Sequence, residues 1–580
     1  MAIIGIDLGT TNSLVSVFRD GKIELIPNSV GEYLTPSVVS FGENGEIFVG
    51  KIAREMMVTK PDRTFYEFKR NMGTNYHYTV DGTSYTAEEL SALVLRKLKE
   101  DAESYLGEEV TEAVISVPAY FNDDKRCATK NAGRLAGLKV ERLINEPSAV
   151  ALKHHTLNGD MENFIVFDFG GGTLDVSLVE AYDNMVEIRA VAGDNYLGGK
   201  DFNEAIADYF YTNFVPREKL NPEEQSIVLK EAERLKIALS SKNQASRTFY
   251  LKGKQYTLNL SNQELIHIAA YLFKKMSEPI KKVLNDSKMG WDEIDNIILV
   301  GGSSKMPVVK QYISSISEVP VIMDDNPDES IALGVGMAAT IKERMGGFKD
   351  LILSDICPFS LGVEIVGGVF SPIIERNDTL PCSKSGYYIT IKDYQEKLEF
   401  NIYQGESMVA KENLLLGTLE VTDIPRVKAG QTGVNVTFMY DINGILDIRI
   451  VGEKQSIHKT ILNKKISLSE TELEEKLAEL KQLSMHPLGK ERDRLLIERA
   501  KSLYMESNGE IRNNLAMLIR DYEELLMTKN EQMIRQGYVK ITLYLDALEK
   551  QRVIVDDFDE SFWEKEELDA SLFTREDEGE

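Results

Sequence analysis

Short apolar runs alternate with amphipathic segments along residues 1–348. Residues 114–117 and 297–300 are apolar enough for strands buried on both faces of a sheet. Residues 88–106 and 224–239 repeat their apolar positions with the period of a helix. Alternating strands and helices of this kind predict an α/β domain.

The period changes to two over residues 358–467. Side chains alternate in character along residues 388–393 and 398–403, as in strands with one buried face. Residues 434–440 and 445–451 are joined through Asn443-Gly444, which is typical of a hairpin turn. The pattern predicts an antiparallel β domain.

From Leu468 onward the pattern is helical. Ser469 to Glu472 matches a capping box, and the apolar positions that follow share one helix face. Pro487 is expected to break this helix. We predict a helical segment over 468–555 and a mobile acidic tail over 556–580. The apolar positions of the first helix are Leu473, Leu477 and Leu480.

Residues 349–357 join the first two regions. Leu351-Ile352-Leu353 stands there between Asp350 and Asp355. Two interpretations stay open at this point. The segment is either an ordinary edge strand or a linker that docks on one domain in one state and is released in another.

The net charge limits the partners. At -26, the chain repels nucleic acid and anionic membrane surfaces, and we expect neither as a partner. The three cysteines include no CxxC pair, which is typical of a reducing compartment. The six histidines show no zinc-ligand spacing. The chain starts on its first strand without a basic and apolar leader, so a cytoplasmic location is expected.

Two similar turns follow apolar strands in the α/β region. Residues 3–6 run into DLGTTN (7–12), and residues 164–167 run into DFGGGT (168–173). A glycine turn lets backbone N–H groups converge on an anion, and an adjacent aspartate can hold hydrated magnesium. A single copy of this pattern would fit an ordinary turn equally well. The repeat, with a third glycine pair in VGGS (300–303), predicts a two-sided clamp for a metal-bound triphosphate.

Six motifs carry a family resemblance: IIGIDLGTTNS (3–13), VPAYFND (117–123), NEP (145–147), DFGGGTLD (168–175), LGGKDF (197–202) and NPDESIALG (326–334). In this order they resemble the DnaK family of seventy-kilodalton heat-shock chaperones, over essentially the whole chain. The chain looks closest to HscC-like bacterial paralogues. The resemblance implies an actin-like, two-lobed ATPase over 1–348, a linker over 349–357, a β-sandwich that binds peptide over 358–467 and a short helical lid over 468–555.

The resemblance implies an ATPase whose slow hydrolysis of ATP switches the peptide-binding domain between open and closed states. ATP or ADP with Mg²⁺ is the implied cofactor, with K⁺ as a candidate second ion. Asp7 and Asp168 would hold the magnesium, largely through water. The implied catalytic residues are Lys69, Glu146, Asp168, Thr173 and Asp175. The implied nucleotide-binding residues are Asp7, Gly9, Thr10, Thr11, Asn12, Gly170, Gly171, Gly172, Thr173, Glu233, Lys236, Ser240, Gly301, Gly302, Ser303, Lys305 and Asp328.

Several of these residues have a plainer interpretation. By pattern alone, Lys69 is one of many surface lysines, and Glu233, Lys236 and Ser240 form a solvated helix face. Lys305 departs from the family, which usually has an arginine that stacks on adenine. An ammonium group does not stack as a planar guanidinium does, so we predict weaker nucleotide retention.

The β domain is expected to bind extended client polypeptides through backbone hydrogen bonds and apolar pockets. The implied peptide-binding residues are Val363, Val366, Tyr388, Ile391, Leu398 and Phe400. Ile391 is bulkier than is common at its position, which leaves the client preference open. A J-domain co-chaperone is the implied partner at the junction with the linker. The residues implied in this coupling are Pro118, Arg126, Arg142 and Asp355.

Two alternatives belong to the same superfamily: a small-molecule kinase and an actin-like filament protein. Either would leave the β domain and the helical region without a role. Residues 241–265 form a shorter stretch than in typical DnaK, so dependence on a nucleotide-exchange factor stays open. The protein is expected to act as a monomer.

Overall fold

The computed structural model describes residues 2–158, 162–182, 185–342, 351–422, 424–442, 444–452, 456–461, 470–487, 490–551 and 553–554. None of the helices in these ranges has the length and apolar character needed to cross a bilayer. Asn443, Ser469 and the predicted acidic tail lie outside the described residues.

The first lobe is built around a sheet with the strand order β11-β10-β1-β2-β3. Its elements are β1 (Ile3–Asp7), β2 (Asn12–Arg19), β3 (Lys22–Ile26), β4 (Thr35–Pro36), β5 (Val38–Phe41), β6 (Glu46–Val49), α1 (Lys51–Thr59), β7 (Thr64–Tyr66), β8 (Tyr78–Val80), β9 (Thr83–Tyr85), α2 (Ala87–Leu106), β10 (Glu112–Val117), α3 (Asp123–Leu135), β11 (Lys139–Asn145) and α4 (Glu146–Asn158). The helix predicted over 88–106 is confirmed as α2. Its capping box, in which Thr86 and Glu89 bond each other's backbone N–H groups, fixes where it begins.

The second lobe repeats this plan. Its elements are β12 (Glu162–Phe169), β13 (Leu174–Tyr182), β14 (Met185–Asp194), α5 (Gly199–Asn213), α6 (Pro222–Leu239), β15 (Gln244–Leu251), β16 (Lys254–Ser261), α7 (Asn262–Ile268), α8 (Ala270–Ser287), β17 (Asn296–Val300), α9 (Pro307–Ile316), β18 (Val321–Met323) and α10 (Ser330–Lys342). The strand β1 runs parallel to β10 and antiparallel to β2, and β12 runs parallel to β17 and antiparallel to β13. The strands β1 and β12 therefore occupy equivalent positions in the two sheets, and the turns that follow them are equivalent as well.

Helix α10 joins the lobes by packing on the first-lobe sheet. The Ser16 hydroxyl donates a hydrogen bond of 2.6 Å to the Ala332 carbonyl. A Cβ atom on Gly5 would lie 2.6 Å from the Gly336 nitrogen, so this approach depends on glycine. The close contact holds the two strand ends near each other.

Two four-stranded sheets, β21-β20-β24-β25 and β23-β26-β27-β28, share one apolar core in the β region. The elements there are β19 (Ile352–Ile356), β20 (Leu361–Ile365), β21 (Val369–Ile374), β22 (Thr379–Leu380), β23 (Cys382–Ile389), β24 (Leu398–Gln404), β25 (Leu414–Val421), β26 (Gly433–Tyr440), β27 (Leu446–Val451) and β28 (Ser456–Ile461). The predicted pairing on either side of Asn443 is confirmed, since β26 and β27 are antiparallel.

The alternation predicted over 388–393 is only partly a strand, because β23 ends at Ile389. The Gln395 side chain accepts hydrogen bonds from the N–H groups of Ile391 and Lys392, at 3.0 and 3.2 Å. A side chain thus replaces the neighbouring strand as the hydrogen-bond acceptor, and the chain turns there.

The linker is docked. Its strand β19 lies parallel to β14 at the edge of the second-lobe strands, with Ile352 opposite Met185. On its other side β19 pairs with β22 of the β region, with Asp355 opposite Leu380. The edge-strand and the docking interpretations both describe this arrangement. Release of the linker in another state stays a prediction.

The helical region lies against the two lobes. Its elements are α11 (Glu470–Gln482), β29 (Ser484–Met485), α12 (Glu491–Met505), α13 (Gly509–Met527), α14 (Glu531–Gln551) and β30 (Val553–Ile554). The predicted apolar stripe of α11 packs into the first-lobe core, where Leu473 and Leu480 are buried. The domain boundaries predicted from the pattern stay predictions.

Candidate functional site

The two strand-ending turns face each other between the lobes. A Cβ atom built on Gly171 would lie 1.7 Å from the Thr11 hydroxyl oxygen. One built on Gly172 would lie 2.4 Å from the Thr10 methyl carbon. A side chain at either glycine would collide with the opposite turn, so the repeated motif forms two sides of one cleft.

The third glycine pair closes another side. Gly301 has a φ of 81°, a region that favours glycine. A Cβ atom there would lie 2.7 Å from an Asp168 carboxylate oxygen. The Ser303 hydroxyl donates a hydrogen bond of 2.8 Å to the Gly170 carbonyl. These contacts hold the VGGS segment against the second turn.

The floor of the cleft holds two buried carboxylates, Asp7 and Asp168. Burial, followed by the charge of Glu146, raises the pKa of Asp7 to about 7 and the pKa of Asp168 well above its ordinary value. Anionic carboxylates enclosed this closely need a cation, and oxygen ligands fit magnesium. Within the described part of the chain, no group of three or more His, Cys, Asp or Glu side chains is arranged to hold a metal ion. Magnesium dehydrates reluctantly, so an ion held by these two carboxylates would keep most of its water ligands.

A buried ion pair lies beside these carboxylates. Lys69 sits in a short 3-10 turn and Glu146 begins α4. The Lys69 Nζ is 2.7 Å from the Glu146 Oε1, and the two side chains are 4% and 6% exposed. Asp175 accepts a hydrogen bond of 3.2 Å from the Tyr120 N–H. Burial, followed by the charge of Glu146, raises the pKa of Asp175 to about 7.

Helix α6 brings Glu233, Lys236 and Ser240 to the same cleft. The plainer interpretation of these residues as a solvated face is wrong for Lys236, whose Nζ donates 2.8 Å to the Gly199 carbonyl. Burial lowers the pKa of Lys236 to about 8, against the opposing charge of Glu233. Lys305 forms an ion pair with Asp328.

The cleft has a volume of about 370 Å³. The predicted residues that line it are Asp7, Gly9, Thr10, Thr11, Asn12, Lys69, Glu146, Asp168, Gly170, Gly171, Thr173, Glu233, Lys236, Ser240, Gly301, Gly302, Ser303, Lys305 and Asp328. Gly172 and Asp175 lie behind this lining, in contact with Thr10 and Tyr120 respectively.

Other residues lie at the cleft that were not predicted from the sequence. Arg54 and Lys200 line it, and Arg54 forms an ion pair of 2.7 Å with Glu233. Arg70 donates a hydrogen bond of 2.8 Å to the Gly172 carbonyl. Lys200 lies in the LGGKDF motif and Arg70 follows Lys69, so their context held a signal. Arg54 belongs to no motif.

The predicted coupling residues meet at the docked linker. The Asp355 carboxylate accepts hydrogen bonds from Asn145 Nδ2, at 2.7 Å, and from the Ser148 hydroxyl, at 3.0 Å. Arg126 donates 2.6 Å to Asn145 Oδ1. Burial lowers the pKa of Arg142, which faces the opposing charge of Asp355. A single carboxylate on the linker thus binds two first-lobe side chains directly, and a third, Arg126, through Asn145.

A second connection runs through the VPAYFND motif. Pro118 accepts a backbone hydrogen bond of 3.1 Å from Phe121 and so shapes the turn. The Tyr120 ring lies 4.6 Å, centroid to centroid, from the ring of Phe359 at the start of the β region. Because the Tyr120 N–H also bonds Asp175, the cleft floor and the β region share one residue.

The residues predicted to bind peptide are not equally accessible. Val363, Leu398 and Phe400 belong to the core of the β region. Val366 and Ile391 are 67% and 55% exposed. Tyr388 packs partly against the core, with its ring 5.5 Å from that of Phe400. The exposed pair is the part of the predicted set that a ligand can reach in this structure.

One comparison with known proteins bears on the whole chain. A family model described as Hsp70 protein matches residues 3–84 and 77–573. The match extends through the linker, the β region and the helical region. With the mixed α/β architecture, it fits a two-lobed ATPase followed by a β-sandwich.

Proposed function

The chain belongs to the Hsp70 family of ATP-dependent chaperones, and on that premise we propose a nucleotide-driven switch between the cleft and the β region. ATP, or ADP after hydrolysis, occupies the cleft with magnesium. The linker docks or is released according to the nucleotide. The β region binds client polypeptides in one state and lets them go in the other.

In this proposal the glycine turns hold the phosphates. Backbone N–H groups of residues 9–12, 171 and 172 converge on the β- and γ-phosphates from both sides. The Gly170 N–H donates instead to the Thr173 carbonyl, at 3.1 Å, and shapes the turn. Asp7 and Asp168 would hold magnesium through water, and the ion would offset the charge of the phosphates. Glu233, Lys236 and Ser240 take the adenosine, with Gly301, Gly302 and Ser303 as the facing segment.

Lys69 and Glu146 orient the water that attacks the γ-phosphate, with Thr173 and Asp175 as further polar groups beside it. The buried ion pair between Lys69 and Glu146 supports this role. Because both side chains are shielded from solvent, each is held in one position. A lysine held in this way also stabilises negative charge that develops on the departing phosphoryl group.

The main observation in favour of the proposed switch is the pair of hydrogen bonds that the linker residue Asp355 accepts from first-lobe side chains. The linker strand extends the second-lobe strands, while its carboxylate is held by first-lobe side chains. A change in the angle between the lobes would break one set of contacts or the other. Nucleotide and peptide then affect each other's binding by the same factor. We infer that a J-domain partner acts at this junction, near Arg142.

The same motifs support a DnaK-type protein close to the HscC-like paralogues. The length of the chain, the short helical region and segments such as LLIERAKSLY (495–504) are the features in its favour. A cytoplasmic monomer is the form that we propose. The kinase and filament alternatives would leave the matched residues beyond 348 unexplained.

Steady-state ATPase measurements with and without an extended apolar peptide test the switch. Peptide is expected to change the turnover of the wild type. Asp355→Asn should abolish the response. One carboxylate oxygen accepts from Asn145 and Ser148 and the other from the Ile356 N–H, so an amide with a single acceptor oxygen cannot replace both, and it also lacks the charge that faces Arg142. Asp325→Asn, at an exposed position, is the matched control and should respond as the wild type does. If neither the peptide nor Asp355→Asn alters turnover, the coupling is wrong.

A further inference from the structure

Helix α12 contacts both lobes. Leu495 packs against the first-lobe cluster that includes Phe48 and Met56. Arg494 lies over the Phe48 ring, at 5.0 Å from its centroid. Near the other end of the helix, Met505 packs against the core of the second lobe. A single helix from the C-terminal region therefore bridges the two lobes.

A buried carboxylate completes the bridge. Glu506 directly follows α12 and its side chain is 0% exposed. Its Oε1 lies 3.0 Å from Lys230 Nζ, and its Oε2 lies 2.9 Å from Arg234 Nη1, both on α6. The Ser502 hydroxyl donates 3.1 Å to Glu506 and accepts 2.6 Å from Lys230. A charge this deeply buried is stable only with such partners.

The same lysine also reaches the first lobe. Lys230 Nζ is 3.0 Å from Glu55 Oε2 on α1. Although burial acts to raise it, the pKa of Glu55 is lowered by the charges of Lys230 and Arg234. The ionic cluster thus includes α1, α6 and the end of α12. It also includes Glu549 of α14, 3.5 Å from Arg234, and Arg247 of β15, which pairs with Glu231 beside Arg234.

The neighbours of this cluster line the cleft. Arg54 directly precedes Glu55 on α1, and Glu233 lies one turn after Lys230 on α6. These two cleft residues form their own ion pair of 2.7 Å. The ion pairs around Glu506 hold α1 and α6 at a fixed distance from each other. Because Arg54 and Glu233 lie on the same two helices, the same ion pairs also set the distance between the helices at the cleft.

We propose that Glu506 is a positioning residue for nucleotide retention. Through Lys230 and Arg234 it holds α6 against α1 from outside, so that the cleft opens fully only after α12 has left. This rests on the proposed function, in which the cleft binds nucleotide. The coupling is reciprocal, so a nucleotide that closes the cleft also strengthens the docking of α12.

Dissociation of a fluorescent ADP from the full chain, chased with excess unlabelled nucleotide in a stopped-flow instrument, tests the proposal. Glu506→Gln should accelerate release about tenfold. Glu510→Gln, an exposed carboxylate four residues further on, is the matched control and should leave the rate unchanged. Hydrogen exchange adds a readout that a loss of stability alone would not move. Bound nucleotide should slow exchange of α12 amides in the wild type but not in Glu506→Gln.

The outcomes separate the two proposals. A wild type that binds no nucleotide overturns the proposed function. A wild type that binds nucleotide but releases it at the same rate as Glu506→Gln overturns the role of Glu506 alone. If Glu506→Gln does not fold, Ser502→Ala replaces it, because this change removes only one neutral hydroxyl from the cluster. Release should then be about threefold faster, and an unchanged rate would overturn the role of Glu506.

Discussion

The hydroxyl of Tyr440 in the β region donates a hydrogen bond of 2.7 Å to the carboxylate of Asp123, at the start of α3 in the first lobe. Gln404 Nε2 donates to the same carboxylate oxygen at 3.0 Å. Burial between the two regions raises the pKa of Asp123 to about 6, although both hydrogen bonds and the charge of Arg126 oppose this. The docked interface therefore contains a carboxyl group that gains or loses its proton at a pH of about 6.

This relationship predicts that docking depends on pH. When the regions separate, water surrounds Asp123 and its pKa returns toward about 3.9. Because the docked value is the higher one, docking is favoured at low pH and weakens as the pH rises through about 6. Hydrogen exchange of the linker amides between pH 5 and pH 8, corrected for intrinsic rates, should show less protection at the higher pH. In Asp123→Asn this trend should disappear, and its persistence would assign the effect to another group.

Replacing Tyr440 by phenylalanine should weaken docking at neutral pH. The ring still fills its buried position, but Asp123 loses a donor, a loss of about 1 to 3 kcal/mol for a hydrogen bond to a charged group. Faster exchange of the linker amides is the expected result. Tyr387→Phe, whose side chain is exposed, provides the control, and equal exchange in both variants would contradict the assignment.

Lys69→Met should separate binding from hydrolysis. The chain keeps the glycine turns that hold the phosphates but loses the cation paired with Glu146. Single-turnover ATP hydrolysis should slow by about 10² to 10³, the usual effect of removing one charge-stabilising group, while nucleotide affinity changes far less. Lys275→Met, on an exposed part of α8, should hydrolyse ATP at the wild-type rate. Comparable losses of affinity and of turnover would mean that Lys69 serves binding.

Gly171→Ala should prevent the two turns from closing. Its Cβ would lie 1.7 Å from the Thr11 hydroxyl oxygen, and relief of such overpacking costs about 1 to 3 kcal/mol. Titration with a fluorescent ATP analogue should show an affinity about tenfold lower. Gly170→Ala offers a control in the same turn, because the nearest atom to its Cβ would be 3.6 Å away. If both variants bind equally well, the contact between the turns does not govern closure.

Lys305→Arg should slow the release of ADP. A guanidinium can stack on a base, whereas the ammonium of Lys305 is directed to Asp328. A stacked cation contributes about 1 kcal/mol, so dissociation should slow roughly fivefold in a stopped-flow chase. Lys310→Arg, exposed on α9, tests for a general effect of the exchange. Unchanged release in Lys305→Arg would remove the argument for weak retention.

Local patterns were sufficient to predict many elements. The helix predicted over 224–239 is α6, and Asn221 begins it with a capping box. The strands around the two glycine turns were predictable because each is a continuous apolar run. The alternation near Ile391 failed as a strand, since the side chain of Gln395 competes for the same backbone groups. The strand propensity of residues 388–393 does not predict this, because the acceptor is the side chain of Gln395, which lies beyond them in the chain.

The cleft residues divide in the same way. Asp7, Glu146 and Asp168 lie in motifs whose order already associates them. Arg54 reaches the cleft only because α1 and α6 pack side by side, and no local pattern marks it. Glu506 was not predictable either, because the residues next to it in the sequence do not indicate that its carboxylate is buried.

The order of the motifs and the change from one hydrophobic period to another specify the family, the repeated turns and the succession of elements, because these depend on residues close together in the chain. The contacts that unite the regions were decided only in three dimensions. The apolar stripe of α11 could have covered the β region, yet Leu473 and Leu480 are buried in the first lobe. Which surface covers an apolar face, and which charges neutralise each other when water is excluded, depends on packing between distant segments.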